Sequence, residues 1–161
     1  AVDSTDRYLS EELRRLQKVV MSLPPMSAET IDAAKFLFRK RQELTKRLAD
    51  AGVQLLAGTD APGTGAFPGF SLHDELGLLV ESGLTPAAAL RTATIEPARY
   101  LAADSLGSIA VGKVADLVLL TADPLADIAN TRRIEAVWHA GRLYDRNARK
   151  ELLAAAEAAA R

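Results

Sequence analysis

The sequence has 161 residues, 48% of them hydrophobic and 25% charged, a make-up that suits one soluble globular domain with at most a small appendage. With 20 basic residues against 21 acidic ones the formal net charge is -1, which argues against nucleic acid or an anionic membrane as a partner of the whole chain. The sequence contains no cysteine, which excludes disulfides and thiolate metal sites, so any metal would need carboxylate or histidine ligands.

The chain opens Ala-Val-Asp-Ser-Thr, with no initiator Met and none of the basic and apolar regions of a signal peptide. This start reads as an excised piece of a longer protein, and it leaves the compartment unassigned. Leu9 to Val20 alternates apolar and charged residues at roughly helical spacing, but Leu23-Pro24-Pro25-Met26 stops any helix, and the stretch reads as an irregular surface excursion. Ser27 is placed to cap the next helix, in which Ile31, Ala34, Leu37, Phe38, Leu44 and Leu48 form one stripe, with Gly52 as its stop. Within it Arg39-Lys40-Arg41 has acidic neighbours and reads as a solvated face.

Val53 to Ala57 is apolar on both faces except for Gln54, as expected of a strand in a covered parallel sheet, and it ends in Gly58-Thr59-Asp60. The loop Ala61 to Phe70 carries three glycines and two prolines. Its Pro62-Gly63-Thr64-Gly65 lacks the spacing and Lys of a phosphate loop. Ser71 is then expected to cap a helix with Leu72, Leu76, Leu79 and Val80 on one face. Thr85-Pro86 and Thr94 start two more helices, making Ala87 to Leu101 a helical pair. Beyond Gly107 the pattern turns to β: Ser108 to Val111, Asp116 to Leu120, and a hairpin from Ile134 to Tyr144 turning at Ala140-Gly141. The Ala-rich tail has high helix propensity and little to bury. No apolar run approaches the ~20 residues that span a bilayer.

Asp60 stands at the C-terminal end of a strand and ahead of a Gly-rich loop, where α/β barrels place catalytic groups; a turn-holding role through backbone amides is the alternative. His73 lies in the first turn of a helix, where it is either a local cap or loop-holding hydrogen bond, or a contact at the mouth of a site. His139 reads as a surface strand residue and Lys113 as a turn residue.

Ala57-Gly58-Thr59-Asp60-Ala61-Pro62, Ser71-Leu72-His73-Asp74-Glu75-Leu76, Gly83-Leu84-Thr85-Pro86-Ala87-Ala88-Ala89-Leu90, Ala93-Thr94, Pro97-Ala98-Arg99-Tyr100-Leu101 and Gly107 to Val118 follow one another in a specific order. Together they resemble the end of the amidohydrolase superfamily, and more narrowly its imidazolonepropionase-like and prolidase-like branch, over roughly residues 50 to 145.

The resemblance implies an α/β fold: the C-terminal portion of a metal-dependent (β/α)8 barrel, from about the end of strand seven to helix eight, followed by C-terminal strands of a small β-sandwich. Residues 1–103 would belong to the barrel, 104–146 to the sandwich, and 147–161 would be a C-terminal helix. Val2 would end the seventh strand and Ser27 to Ala51 would be the seventh helix. Asp60 would be both a ligand of one or two divalent metals, usually zinc, and the proton shuttle between an attacking water and the leaving nitrogen. His73 would contact substrate.

The implied activity is hydrolysis of C–N bonds in small molecules: cyclic amides such as imidazolones, or Xaa-Pro and Xaa-Arg/Lys dipeptides. The family's His-x-His pair, bridging residue and later His ligands have no counterpart in the 161 residues, so this chain alone is expected to be inactive. The rival readings are a non-catalytic binding or scaffold module, and one chain of a split enzyme completed by a partner. Exposed barrel and sandwich edges would favour self-association where no partner exists.

Overall fold

The computed structural model describes residues 4–61 and 65–160; the expectations for Val2 and for Pro62-Gly63-Thr64 fall outside them. A 3-10 turn, Ser4–Tyr8, leads into α1, Glu11–Met21. Its N-cap is Ser10, whose hydroxyl accepts the Leu13 N–H at 3.4 Å. The stretch expected to be irregular is therefore helical up to Met21, because the apolar spacing and the Ser10 cap suffice there, and it is irregular only ahead of Pro24 and Pro25.

Helix α2, Ala28–Asp50, starts as expected: the Ser27 hydroxyl accepts the Thr30 N–H at 3.1 Å. It ends ahead of Gly52, whose φ of +76° lets the chain reverse. Lys40 pairs with Glu43 at 2.6 Å, so the basic run is a solvated surface. No residue of α2 is buried, and Phe36, Leu37, Phe38 and Leu44 are all exposed.

Val53 to Ala57 is extended but joins no sheet, contrary to the expected covered parallel strand. A strand needs a neighbour to take its backbone groups, and the bonds formed run elsewhere: the Val53 N–H to the Leu48 carbonyl at 3.0 Å and the Ala57 N–H to the Thr92 carbonyl at 2.9 Å. Only one face is covered. Leu55 and Ala57 pack on the core, whereas Val53 and Leu56 are exposed.

That core joins α3 (Ser71–Glu81) to α4 (Pro86–Thr92) through Leu76, Leu79, Leu84 and Ala89, with Ile128 arriving from a 3-10 turn, Ile128–Arg132. Burying each of the larger side chains is worth about 1.5–3 kcal/mol. Thr85 caps α4 by accepting the Ala88 N–H at 3.2 Å, with Pro86 in the first turn. Helix α5 is Ile95–Tyr100. Two expected caps are otherwise employed. The Ser71 hydroxyl accepts the Phe67 N–H at 2.7 Å and closes the preceding turn, leaving Phe70 at the cap position. The Thr94 hydroxyl donates to the Leu90 carbonyl at 2.8 Å and so bonds back into α4.

Strands β1 (Leu117–Leu120), β2 (Ile134–His139) and β3 (Arg142–Tyr144) form an antiparallel sheet in that order, with Leu117 opposite Trp138 and Trp138 opposite Leu143. The expected hairpin is present: Ala140 and Gly141 take φ of +49° and +77°, a pair of left-handed residues that suits a tight two-residue turn. Ser108 to Val111, expected as β, forms no strand: among the described residues no strand pairs with it, and Ile109 and Val111 stand in solvent. Helix α6, Arg146–Ala159, is capped by Asp145, which accepts the Asn147 and Ala148 N–H groups at 2.9 and 2.8 Å. No described helix is long and apolar enough to cross a membrane.

Candidate functional site

Asp60 ends the extended segment with φ of +52°, a left-handed conformation that costs a non-glycine residue about 1–2 kcal/mol, less for Asp than for most. Among the described residues two other non-glycine residues share it, Ala102 after α5 and Ala140 in the hairpin, both in ordinary chain reversals. Asp60 instead stands exposed where the apolar segment gives way to the long loop. Strained residues of this kind concentrate at sites of chemistry, where surrounding structure holds them.

The surroundings of Asp60 are pinned on both sides. Before it, Ala57 is bonded to Thr92 of α4. After it, the loop closes in a turn from Phe67 to Ser71, where the Phe67 ring is buried and the Ring of Tyr8 stacks on Phe70 with centroids 5.4 Å apart. Aromatic stacking at this distance is worth about 0.5–1.5 kcal/mol beyond the buried area.

His73 does not stand beside Asp60 in the cleft it lines. That cleft, about 290 Å³, runs between α3 and the Ile128–Arg132 turn, with Asp74, Leu78, Glu81 and Arg132 in its walls. Its ring Nδ1 lies 3.0 Å from the Thr131 hydroxyl, which itself donates to the Ile128 carbonyl at 2.8 Å. One residue along, Asp74 pairs with Arg132. Burial, with the positive charge of Arg132 in support and Asp74 opposing, holds the imidazole below its usual titration range, so its neutral form is favoured. His139 sits in β2 with Nδ1 3.2 Å from Asp116, as an exposed strand residue.

Among the described residues no three His, Cys, Asp or Glu side chains gather to hold a metal ion. A catalytic zinc takes about three protein ligands and a water. The described residues by themselves therefore do not fit one, and Asp60 offers a single carboxylate.

Sequence reasoning missed a polar cluster beside Gln54, at the start of the extended segment. Glu96 receives Arg91 at 2.6 Å and Arg99 at 3.3 Å, and the Gln54 amide donates to its carbonyl and carboxylate at 3.1 and 3.2 Å. Partial burial pushes the Glu96 carboxyl up, but the Arg91 hydrogen bond, the two arginine charges and Gln54 outweigh it and hold it low. Glu96, Arg99 and Gln54 line a cleft of about 470 Å³ with Val53, Leu55 and Leu84. The signal in the sequence was only Gln54, the one polar residue of an apolar run.

Over residues 9–144 the sequence matches the amidohydrolase family. The chain belongs to that family. Similar solved structures include a Xaa-Pro dipeptidase with methionine bound in its active site, 32% identical with a TM-score of 0.58 over 65% of this chain and 25% of that one. A molinate hydrolase is 38% identical, with a TM-score of 0.56 over 62% of this chain and 25% of its own. Another amidohydrolase is 30% identical, with a TM-score of 0.55 over 65% of this chain and 25% of its own. This amidohydrolase chain thus spans about a quarter of the length of each of these three relatives. No curated protein matches it.

Proposed function

We propose that this chain is the C-terminal portion of a hydrolase that cleaves C–N bonds in small amides or dipeptides, with residues 1–103 as the end of its (β/α)8 barrel and 104–146 as part of a β-sandwich. The observation that carries the reading is Asp60: a carboxylate held at φ +52° at the end of an extended apolar segment, within the residues that match the amidohydrolase family. The exposed side chains of Val53 and Leu56 and the unburied apolar side chains of α2 support a larger parent body, since both are surfaces that neighbouring strands and helices would cover.

Asp60 suits general acid–base work. A carboxylate takes the proton from a water as its oxygen attacks the amide carbon, then passes it to the nitrogen as the C–N bond breaks, leaving a carboxylic acid and an amine. Zinc, which the family likeness implies, would need its other ligands from outside the described residues. The Xaa-Pro dipeptidase among the similar structures supports an amide-type substrate.

The test is hydrolysis of Xaa-Pro dipeptides, Xaa-Arg and Xaa-Lys dipeptides and a cyclic amide by the parent enzyme carrying this segment. Asp60→Asn should lower kcat by about a hundredfold or more with little change in KM. The isolated 161 residues should hydrolyse none of them. Full activity in the Asn variant, or amidase activity of the isolated chain, overturns the reading.

A further inference from the structure

We propose that His73 is a positioning residue, which fastens the far end of the Asp60 loop through Nδ1–H of a single imidazole tautomer and leaves Nε2 as an acceptor. The assignment follows from counting protons. Thr131 has one hydroxyl hydrogen, and the Ile128 carbonyl, which can only accept, takes it at 2.8 Å. The hydroxyl oxygen therefore faces His73 with a lone pair, and the Nδ1 nitrogen 3.0 Å away must carry the hydrogen. Thr131 is buried, so no solvent rearrangement relieves that constraint.

The contact has a mechanical consequence for the loop that begins at Asp60. His73 lies two residues beyond Ser71, which accepts the Phe67 N–H, and the His73 N–H itself bonds the Phe70 carbonyl at 3.2 Å. The loop's closing turn and the start of α3 are thus one hydrogen-bonded unit. The His73–Thr131 bond and the adjacent Asp74–Arg132 pair tie that unit to a segment 58 residues downstream. On the other side of Asp60 the Ala57 N–H is held by the Thr92 carbonyl at 2.9 Å. This role rests on the assignment of Asp60 as the working carboxylate, but the tautomer does not.

The chain has two histidines, so imidazole nitrogen NMR on the isolated chain resolves His73 against His139 as an internal reference. His73 is expected to show the Nδ1–H pattern, and Thr131→Val is expected to move it toward Nε2–H. An Nε2–H pattern in the parent sequence, or no response to T131V, overturns the proposal. In the parent enzyme His73→Asn places an amide N–H where Nδ1–H was, whereas His73→Gln reaches the position of Nε2. H73N should keep kcat within about twofold, and H73Q should lower it about tenfold at similar KM, the size expected when a working group is slightly misplaced. The opposite order would make His73 a direct substrate contact, and equal behaviour of the two variants equally overturns positioning. Asp60→Asn should leave the tautomer unchanged, so failure of the Asp60 assignment is read separately.

Discussion

Asp116 Oδ1 accepts the backbone N–H of Ala140 at 2.9 Å, tying the residue before β1 to the turn between β2 and β3. Its other oxygen lies 3.2 Å from His139 Nδ1. The bond reaches a left-handed residue in the middle of the hairpin turn and so braces the point of the sheet that departs most from extended geometry.

Acid unfolding should report this bond. The Ala140 N–H, opposed by slight burial and helped by His139, holds the Asp116 carboxyl below its usual value of 3.8. Because the folded value is the lower one, the stabilisation is fully present above 3.8 and is lost below it, as pH falls through the lower folded value. Asp116→Asn keeps an acceptor for Ala140 but removes the proton dependence. Melting temperatures of the two proteins should therefore converge as pH is lowered below about 4, the native chain losing more. A constant difference across that range would count against the bond.

His73 makes a second pH-dependent contribution, in a different window. Its folded pKa lies below 6.5, chiefly through burial and then through Arg132, with Asp74 opposing and Glu81 also facing the cleft. The folded state binds fewer protons than the unfolded one, so stability is fully present above 6.5 and declines as pH falls below it. Urea unfolding at about pH 7.5 and pH 5.5 should show the decline, and H73N should flatten it. At the higher pH Thr131→Val should cost about 1–2 kcal/mol, since it removes the hydroxyl that bonds both His73 and the Ile128 carbonyl.

The local elements were readable because each depends on residues close in sequence. Ser27 and Thr85 cap their helices, Gly52 ends one, and Ala140-Gly141 turns a hairpin, all as the spacing predicts. Ser71 and Thr94 carry the same signal yet serve other bonds, because a hydroxyl satisfies whichever backbone group reaches it first. The Val53 to Ala57 strand failed for another reason: its pattern encodes two covered faces, but covering them needs neighbours the described residues do not supply. At the candidate site, Asp60 was legible from its position at the end of that run. The partner of His73 was not, since Thr131 lies 58 residues away and carries no motif of its own.

Two glycines separate backbone strain from steric exclusion. Gly107 has φ of +79°, and a Cβ there would lie 2.7 Å from the Ala98 Cβ and 2.7 Å from the Thr94 carbonyl oxygen. Neither can move without disturbing α5. Gly83 has φ of +104°, but its added Cβ would meet only the flexible Lys46 side chain, 2.9 Å from Cδ. Gly107→Ala should therefore cost about 2–4 kcal/mol, adding overpacking to strain, and Gly83→Ala about 1–2 kcal/mol. Chemical denaturation of the two variants measures the difference; equal losses would place the cost in the backbone alone.

Asp60 itself offers a test in which stability and activity move apart. At φ +52° a Cβ is strained, and glycine removes the strain while adding freedom to the unfolded chain; these effects oppose one another and should leave Asp60→Gly within about 0.5 kcal/mol of the native chain. Asp60→Ala keeps the strained Cβ and loses the polar side chain that eases left-handed geometry, so it should be about 1 kcal/mol less stable than the glycine variant. Both should abolish hydrolysis in the parent enzyme, because both remove the carboxylate. A residue kept only to hold a turn would behave differently: glycine, the best occupant of that conformation, would then support activity as well as aspartate does. Denaturation midpoints and turnover measured on the same two variants therefore decide whether this position is occupied by Asp for its backbone or for its chemistry.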